Sequence, residues 1–265
     1  LSRNDIAINA WGLIIARMNS KRLNQKAILE ICGKPAIVHL FDRVKQSKKV
    51  GKLILCTTTN KEDDTLVNLA KQNKIDFYRG NPTDVLGRML GAIEGSNPDL
   101  LIRITGDDIL IDPDYMDLAI EDHLMKNVEY TDCKSLPSGT EVEIFDTSLL
   151  KQIYDCTIDK NDTEYLTYYI SQNKDHISTN SLIINPEHKK NWRLTLDNKE
   201  DFEVISTFLN EMSNKGILSS YRMDDIIQFF NNNPEILEIN KLIRIKKKPL
   251  EVNTRMIWKN LRNNI

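Results

Sequence analysis

Three cationic side chains, Arg17, Arg22 and Lys26, follow a short apolar segment at residues 12–16. The apolar segment is predicted to be a buried strand, and ligands of open α/β sheets bind beyond the carboxyl ends of the strands. The following loop lacks the glycines of a Walker A or GxGxxG motif, so a pyrophosphate here would be held partly by side-chain charge. A solvated cationic loop has the same composition, and the residues alone leave both interpretations open.

Acidic residues at another predicted strand end could hold the metal of a phosphate site. Asp107 and Asp108 directly follow the apolar segment 99–104. A carboxylate there suits Mg²⁺, which takes one or two carboxylates and keeps substrate phosphates and water as its other ligands. A plain turn is the other interpretation, because glycine and aspartate are typical of turns. Asp197 lies between the segment 192–196 and a predicted helix, and the residues alone favour it as the N-cap of that helix.

Four further charged residues are candidates for contact with a second substrate. Arg103 lies inside an apolar strand, so we expect it either at the ligand end of the sheet or paired with a buried carboxylate. Glu141 and Glu143 share one face of a predicted strand, where they would contact sugar or ribose hydroxyls or face solvent. Arg193 alternates with apolar neighbours and could reach the acid group of an acceptor.

The elements that must position these groups alternate along the chain. Strands are predicted at 12–16, 52–57, 75–78 and 99–104, with helices between them at 35–44, 61–74 and 83–94. Strands separated by single helices indicate a mostly parallel sheet built from right-handed crossovers, with helices on both faces. Later strands are predicted at 141–145, 181–184 and 192–196, and later helices after 113 and at 146–154, 162–172, 198–212 and 223–230.

Length and composition indicate one large α/β domain with an appendage. The chain has 265 residues, 40% of them hydrophobic and 28% charged, and we predict a domain at 11–240 followed by an extension at 241–265. The net charge of −2 gives no overall attraction to nucleic acid or to an anionic membrane. No stretch approaches the roughly 20 apolar residues of a membrane span, and LSRNDIAINA lacks the apolar centre of a secretory signal. We therefore expect a cytoplasmic protein.

The first loop carries a resemblance to a known family. ARMNSKRLNQK (16–26) resembles the A-R-x-x-S-x-R-L-P-G-K loop of the CMP-sugar synthetase group of nucleotidyltransferases, and within it the SpsF-type cytidylyltransferases, relatives of the CMP-Kdo synthetases. Further matches follow in the family's order, as YRGNPTDVLGRM (78–89), LIRITGDDILIDP (101–113), SGTEVEIF (138–145) and WRLTLDNKEDFEVI (192–205). Two departures are Asn24-Gln25 in place of Pro-Gly and Ile109 in place of proline.

The resemblance implies a fold and an activity. The fold would be a Rossmann-like nucleotidyltransferase of the GT-A-like kind. The activity would be a Mg²⁺-dependent transfer of CMP from CTP to an acidic sugar, such as a 2-keto-3-deoxy sugar acid, with release of pyrophosphate. Such enzymes supply surface polysaccharide synthesis, and related synthetases are commonly homodimers.

The resemblance also implies roles for individual residues. Asp107 and Asp197 match the family's metal ligands, and with Arg17 and Lys26 they would form the catalytic set. Arg88 would lie near the cytosine, and Thr105 stands where CMP-Kdo synthetases have a glutamine that reads the base. The complete predicted substrate set is Ala16, Arg17, Ser20, Arg22, Lys26, Arg88, Arg103, Thr105, Gly106, Glu141, Glu143 and Arg193.

Two other functions fit the same fold. A GT-A-like glycosyltransferase would also bind a nucleotide and a metal at a strand end, but such enzymes usually carry Asp-x-Asp, whereas Asp107 and Asp108 are adjacent. A non-catalytic nucleotide-binding protein would explain the altered Asn24-Gln25 and Ile109, although the loop cations and both acids are retained.

Overall fold

The structure, a computed structural model, describes residues 8–20, 22–161, 163–243, 254 and 256–258. Its strands are β1 (Ala10–Ile15), β2 (Glu30–Ile31), β3 (Lys34–Pro35), β4 (Val50–Thr58), β5 (Asp76–Gly80), β6 (Leu100–Thr105), β7 (Tyr130–Asp132), β8 (Glu143–Asp146) and β9 (Thr179–Ser181). Seven of them form one sheet of order β5-β4-β1-β6-β8-β7-β9, while β2 and β3 form a separate hairpin. Strand β8 runs antiparallel to both neighbours, and the other pairs in the sheet are parallel.

Helices cover both faces of this sheet. They are α1 (Ala36–Val44), α2 (Asp64–Gln72), α3 (Val85–Gly91), α4 (Pro113–Lys126), α5 (Thr147–Cys156), α6 (Leu166–Ser171), α7 (Lys199–Asn214), α8 (Met223–Asn232) and α9 (Pro234–Glu238). Strand β1 shows why two layers form, because successive side chains point to opposite faces. Ile14 packs into a core with α1, α4, α7 and α8, whereas Leu13 packs into a second core with α3, α5 and α6. The predicted α/β architecture is confirmed.

The late strands differ from the prediction. The predicted strand at 192–196 is wrong, because its backbone bonds go to two separate loops instead of one continuous partner: Leu194 N donates to Ser138 O at 2.6 Å, and Leu196 N donates to Asp107 O at 2.9 Å. The predicted strand at 181–184 overlaps β9 at Ser181 alone, and β8 begins at Glu143 instead of 141. Strand β7 was missed, since three residues are too few to show an alternating pattern.

Part of the predicted C-terminal extension packs on the domain. Trp258 Nε1 donates to Asn173 Oδ1 at 2.6 Å, and its ring stacks on His176 with 5.0 Å between centroids. Met256 forms an isolated bridge with Thr157. The rest of the predicted extension, at 244–253, 255 and 259–265, lies outside the described residues. In the described part of the chain, every helix is too short or too polar to cross a membrane.

Candidate active site

Lys26 joins the two acids that the sequence placed on distant segments. Its ammonium lies 2.6 Å from Asp107 Oδ2 and 2.7 Å from Asp197 Oδ1. Burial would lower the pKa of Lys26, but the two carboxylates raise it above its ordinary value, so the lysine is held in its charged form. The loop after β1, the end of β6 and the segment before α7 therefore meet at one point.

Two arginines complete this cluster on the Asp197 side. Arg22 Nη2 lies 2.7 Å from Asp197 Oδ2, and Arg193 Nη2 lies 3.3 Å from the same oxygen. Burial alone would raise the pKa of Asp197, but Lys26, Arg22 and Arg193 together hold it below its ordinary value. Asp197 is not the N-cap of α7, because that position belongs to Asn198. Its plainer interpretation from sequence was therefore wrong.

A close backbone contact brings the first loop against the end of β6. Gly106 N donates to Ile15 O at 2.9 Å, and a Cβ atom on Gly106 would lie only 2.6 Å from the Cβ of Ala16. Ala16 is itself buried, with 8% of its surface exposed. The predicted residues Ala16 and Gly106 thus set the distance between the cationic loop and Asp107.

We expect Gly106→Ala to disturb both stability and the site. The new methyl group must push Ala16 away, which we expect to lower the free energy of unfolding by about 1–3 kcal/mol, measured by urea denaturation. Gly51→Ala is the matched control, because its Cβ would meet nothing closer than Ala10 O at 3.8 Å. An equal loss in both variants would show that the contact with Ala16 is not the cause.

A buried acid that sequence reasoning missed anchors the same loop. Asp63 has no exposed surface, and its Oδ1 accepts a hydrogen bond from Met18 N at 2.7 Å. Its Oδ2 accepts from Thr57 Oγ1 at 2.9 Å and from Thr58 N at 3.0 Å. The acid therefore ties the cationic loop to the end of β4. Nothing in the local pattern around Asp63 distinguished it from an ordinary acid in the first turn of a helix.

The loop keeps its turn although the usual glycine is absent. Gln25 adopts φ +53°, a left-handed conformation that glycine favours and that other residues adopt at some cost. Lys26 then begins a short 3₁₀ turn at Lys26–Ile28, which directs its side chain toward the acids. The departure at Asn24-Gln25 therefore leaves the lysine in the cluster.

Arg17 and Arg88 have partners other than Asp107 and Asp197. Arg17 is 44% exposed and contacts Glu164 Oε2 at 3.1 Å. Arg88 is 2% exposed and donates to the backbone oxygens of Asn81 and Pro82 at 2.9 and 3.1 Å. Burial lowers the pKa of Arg88, and the charge of Arg17 lowers it further. Arg17 is therefore open to a ligand, whereas Arg88 holds the turn before α3.

Arg103 pairs with a buried carboxylate, one of the two alternatives expected from the sequence. It lies opposite Glu143 across strands β6 and β8 and forms an ion pair with it, the two side chains being 15% and 10% exposed. Tyr130 donates its hydroxyl hydrogen to Glu143 Oε1 at 2.5 Å. Glu143 is thus bonded to Arg103 and Tyr130 and does not face solvent.

Two further acids, Asp108 and Glu141, lie beside Asp107, and Thr105 contacts the first of them. Burial, reinforced by the charges of Asp107 and Glu141, raises the pKa of Asp108 well above its ordinary value. Thr105 donates its hydroxyl hydrogen to Asp108. Glu141 accepts hydrogen bonds from Gly139 N at 2.5 Å and Thr140 N at 3.1 Å. Among the described residues, no lysine lies between Asp108 and Glu141 as Lys26 lies between Asp107 and Asp197.

The pKa of Glu141 predicts a pH dependence of stability. Burial raises it from an ordinary value of 4.5 to about 7, so the native state disfavours the ionised form. The free energy of unfolding should therefore fall as pH rises from 4.5 to about 7. Glu141→Gln cannot ionise and should remove this loss. The side chain is half-buried, so we expect a gain on the order of 1 kcal/mol at pH 8 and none at pH 4. Parallel curves of unfolding free energy against pH for the two proteins would contradict this expectation.

The Asp107–Asp197 pair fits the metal that the resemblance implies. The Lys26 ammonium lies between the carboxylates as a stand-in cation. Within the described residues, no group of three or more His, Cys, Asp or Glu side chains is arranged to hold a metal ion. Two carboxylates suit Mg²⁺, which seldom has a cage made wholly of protein and completes its shell with phosphates and water.

Comparison with known proteins identifies the family of this chain. A family model described as cytidylyltransferase matches residues 11–249. The chain belongs to the cytidylyltransferase family. The family resemblance found in the sequence motifs is therefore confirmed, and the family match includes every residue of the predicted substrate set.

Two relatives cover most of this chain, and a third covers part of it. An uncharacterized protein of Methanocaldococcus jannaschii is 32% identical over 237 residues, which are 89% of this chain and 96% of that protein. The spore coat polysaccharide biosynthesis protein SpsF of Bacillus subtilis is 29% identical over 230 residues, 84% of this chain and 94% of SpsF. A 3-deoxy-manno-octulosonate cytidylyltransferase of Brucella ovis is 33% identical over 112 residues, 41% of this chain and 43% of that enzyme.

A solved structure shares the fold. A cytidylyltransferase from Leptospira borgpetersenii superposes with a TM-score of 0.80 and 26% identity, covering 91% of this chain and all of that one. The seven-stranded sheet and its helical layers are therefore those of a nucleotidyltransferase, as the motifs implied.

Proposed function

We propose that this family member is a Mg²⁺-dependent enzyme that transfers CMP from CTP to a sugar acid and releases pyrophosphate. The observation that carries the proposal is the meeting of Lys26 with Asp107 and Asp197 beyond the carboxyl ends of β1 and β6. A triphosphate needs cations for its oxygens and carboxylates for its metal, and this cluster offers both.

The side chains of the first loop would act on the triphosphate. Arg22 and Lys26 lie on the same cluster, and the exposed Arg17 projects from the start of the loop. Together they would orient the phosphates and stabilise the charge that accumulates on departing pyrophosphate. A hydroxyl of the acceptor would attack the α-phosphorus in line, so that the rate comes chiefly from positioning and electrostatics. Mg²⁺, when held by Asp107 and Asp197, would neutralise part of the triphosphate charge.

The choice of CTP and of a sugar acid is supported by the family. Similarity to SpsF and to the Brucella enzyme suggests a sugar acceptor, by analogy a 2-keto-3-deoxy sugar acid destined for a surface polysaccharide. Thr105 offers one hydroxyl where the related synthetases have a glutamine, so base selection here would depend on other contacts. A homodimer and a cytoplasmic location are further proposals, based on the resemblance and the sequence.

The test is a pyrophosphate-release screen of CTP, UTP, ATP and GTP, each with a panel of 2-keto sugar acids and their neutral analogues. We expect release with CTP and at least one sugar acid, and little without an acceptor. Equal release with all four nucleotides would contradict the base assignment. Turnover of a nucleotide-sugar donor without pyrophosphate would instead indicate the alternative glycosyltransferase.

A further inference from the structure

The Lys26 ammonium fills the space between the two proposed metal ligands. At 2.6 and 2.7 Å, its contacts with Asp107 and Asp197 are charge-assisted hydrogen bonds of ordinary length. The three side chains are 16%, 25% and 11% exposed, so water screens the contacts little. A divalent ion that bridged the same oxygens would have to displace the lysine.

We propose that Lys26 is an internal counterion that keeps the acid pair closed to divalent metal until a nucleotide triphosphate draws the ammonium away. This inference rests on the proposed function and adds an order of binding, in which the metal ion binds together with the nucleotide and not before it. The free protein would then bind divalent ions weakly at this site.

The surrounding charges act in the same direction. Asp197 Oδ2 is already contacted by Arg22 at 2.7 Å and by Arg193 at 3.3 Å. An ion approaching the free protein would therefore meet three cationic groups around two carboxylates. Mg²⁺ also loses its water reluctantly, which adds to the cost of replacing a lysine that is already in contact.

The position of Lys26 allows the exchange. The lysine belongs to the loop after β1, on which the triphosphate would lie, and its ammonium is carried on a flexible four-carbon stem. Phosphate oxygens can therefore compete with the carboxylates for the ammonium without movement of a helix or strand. Once the lysine turns to phosphate, Asp107 Oδ2 and Asp197 Oδ1 lose the cation between them, while Arg22 and Arg193 remain on Asp197 Oδ2. The two freed oxygens can then take a metal ion. Metal and nucleotide would then raise each other's affinity by the same factor, as linkage requires.

The experiment measures Mn²⁺ binding by electron paramagnetic resonance of the free ion, first without nucleotide. We expect Lys26→Met to bind Mn²⁺ about tenfold more tightly than the wild type, a typical size for such coupling. Lys26→Arg keeps the positive charge and should bind Mn²⁺ as weakly as the wild type. Lys34→Met, which removes an exposed lysine paired with Asp42, is the matched control and should not change binding. Adding Asp107→Asn to Lys26→Met should abolish the gain.

The second arm adds a non-hydrolysable CTP analogue, corrected for Mn²⁺ held by the analogue alone. The analogue should tighten Mn²⁺ binding to the wild type about tenfold and to Lys26→Met much less. Equal Mn²⁺ affinity of wild type and Lys26→Met, with nucleotide-supported binding intact, would overturn the counterion role and leave the proposed function standing. Absence of Mn²⁺ binding even with the analogue would overturn both. Should Lys26→Met be unstable, its thermal midpoint should rise more on Mn²⁺ addition than that of the wild type, and an equal rise would count against the inference.

Discussion

Asp107→Asn is expected to slow CTP-dependent pyrophosphate release at least about 100-fold, the loss found when one preorganised charge-stabilising group is removed from an active site. Asparagine keeps the shape of the side chain but removes the negative charge, so the variant loses one of the two proposed metal carboxylates. It also loses the ion pair that holds Lys26 at 2.6 Å. The measurement is the initial rate of pyrophosphate release at saturating CTP.

The neighbouring acid provides the control. Asp108 is 8% exposed, and burial raises its pKa well above the ordinary value, so replacing this carboxyl with a neutral amide costs less than it does at Asp107. Asp108→Asn should therefore lower the rate by only about threefold or less, well under the loss expected for a transition-state group. A similar large loss in both variants would contradict the distinction between Asp107 as a metal ligand and Asp108 as a neighbour that holds no metal.

Arg193→Met is expected to lower the free energy of unfolding by about 3 kcal/mol, because it leaves a buried carboxylate without its counterion. Asp201 has no exposed surface, and Arg193 contacts its two oxygens through Nε and Nη2, each at 2.9 Å. Methionine keeps the aliphatic volume, so the loss should come from the charge and not from a cavity. Urea denaturation at pH 7 measures the change.

Lys49→Met removes a cation from an exposed pair and serves as the comparison. Lys49 lies 2.8 Å from Glu121, and the two side chains are 36% and 54% exposed. Because water screens such pairs, the change should be within about 0.5 kcal/mol. If Arg193→Met cost no more than Lys49→Met, Asp201 would not depend on Arg193, and the support that holds the segment before Asp197 would need another explanation.

Local sequence patterns were enough to predict the positions of some site residues. Apolar runs ending in charged residues placed Lys26 and Asp107 at strand ends, because parallel strands bring their carboxyl ends to one edge of a sheet. The family motifs added Asp197, which the residues alone favoured as an N-cap. The structure then places Lys26 within 2.7 Å of both acids.

The remaining contacts depend on pairings between distant segments. Asp63 binds Met18 across 45 positions of the chain, and Arg103 meets Glu143 across 40. A single sequence does not show which distant residues will come into contact in the fold. The segment before Asp197 was mistaken for a strand for a related reason. Its alternating apolar residues indicate that it is buried, but they do not show which backbone groups it bonds to. Arg88 was assigned to the base by motif, and that role stays a prediction; its burial and its hydrogen bonds to the backbone of the turn before α3 could not be foreseen from the sequence.

The most direct test is a crystal structure of the protein with a non-hydrolysable CTP analogue and Mn²⁺, in which anomalous scattering locates the ion. We expect the ion to lie about 2.1 Å from an oxygen of Asp107 and an oxygen of Asp197, with Lys26 turned from the acids to the phosphates. An ion bound elsewhere, with Lys26 still bridging the two carboxylates beneath the nucleotide, would contradict both the proposed metal site and the role of the lysine.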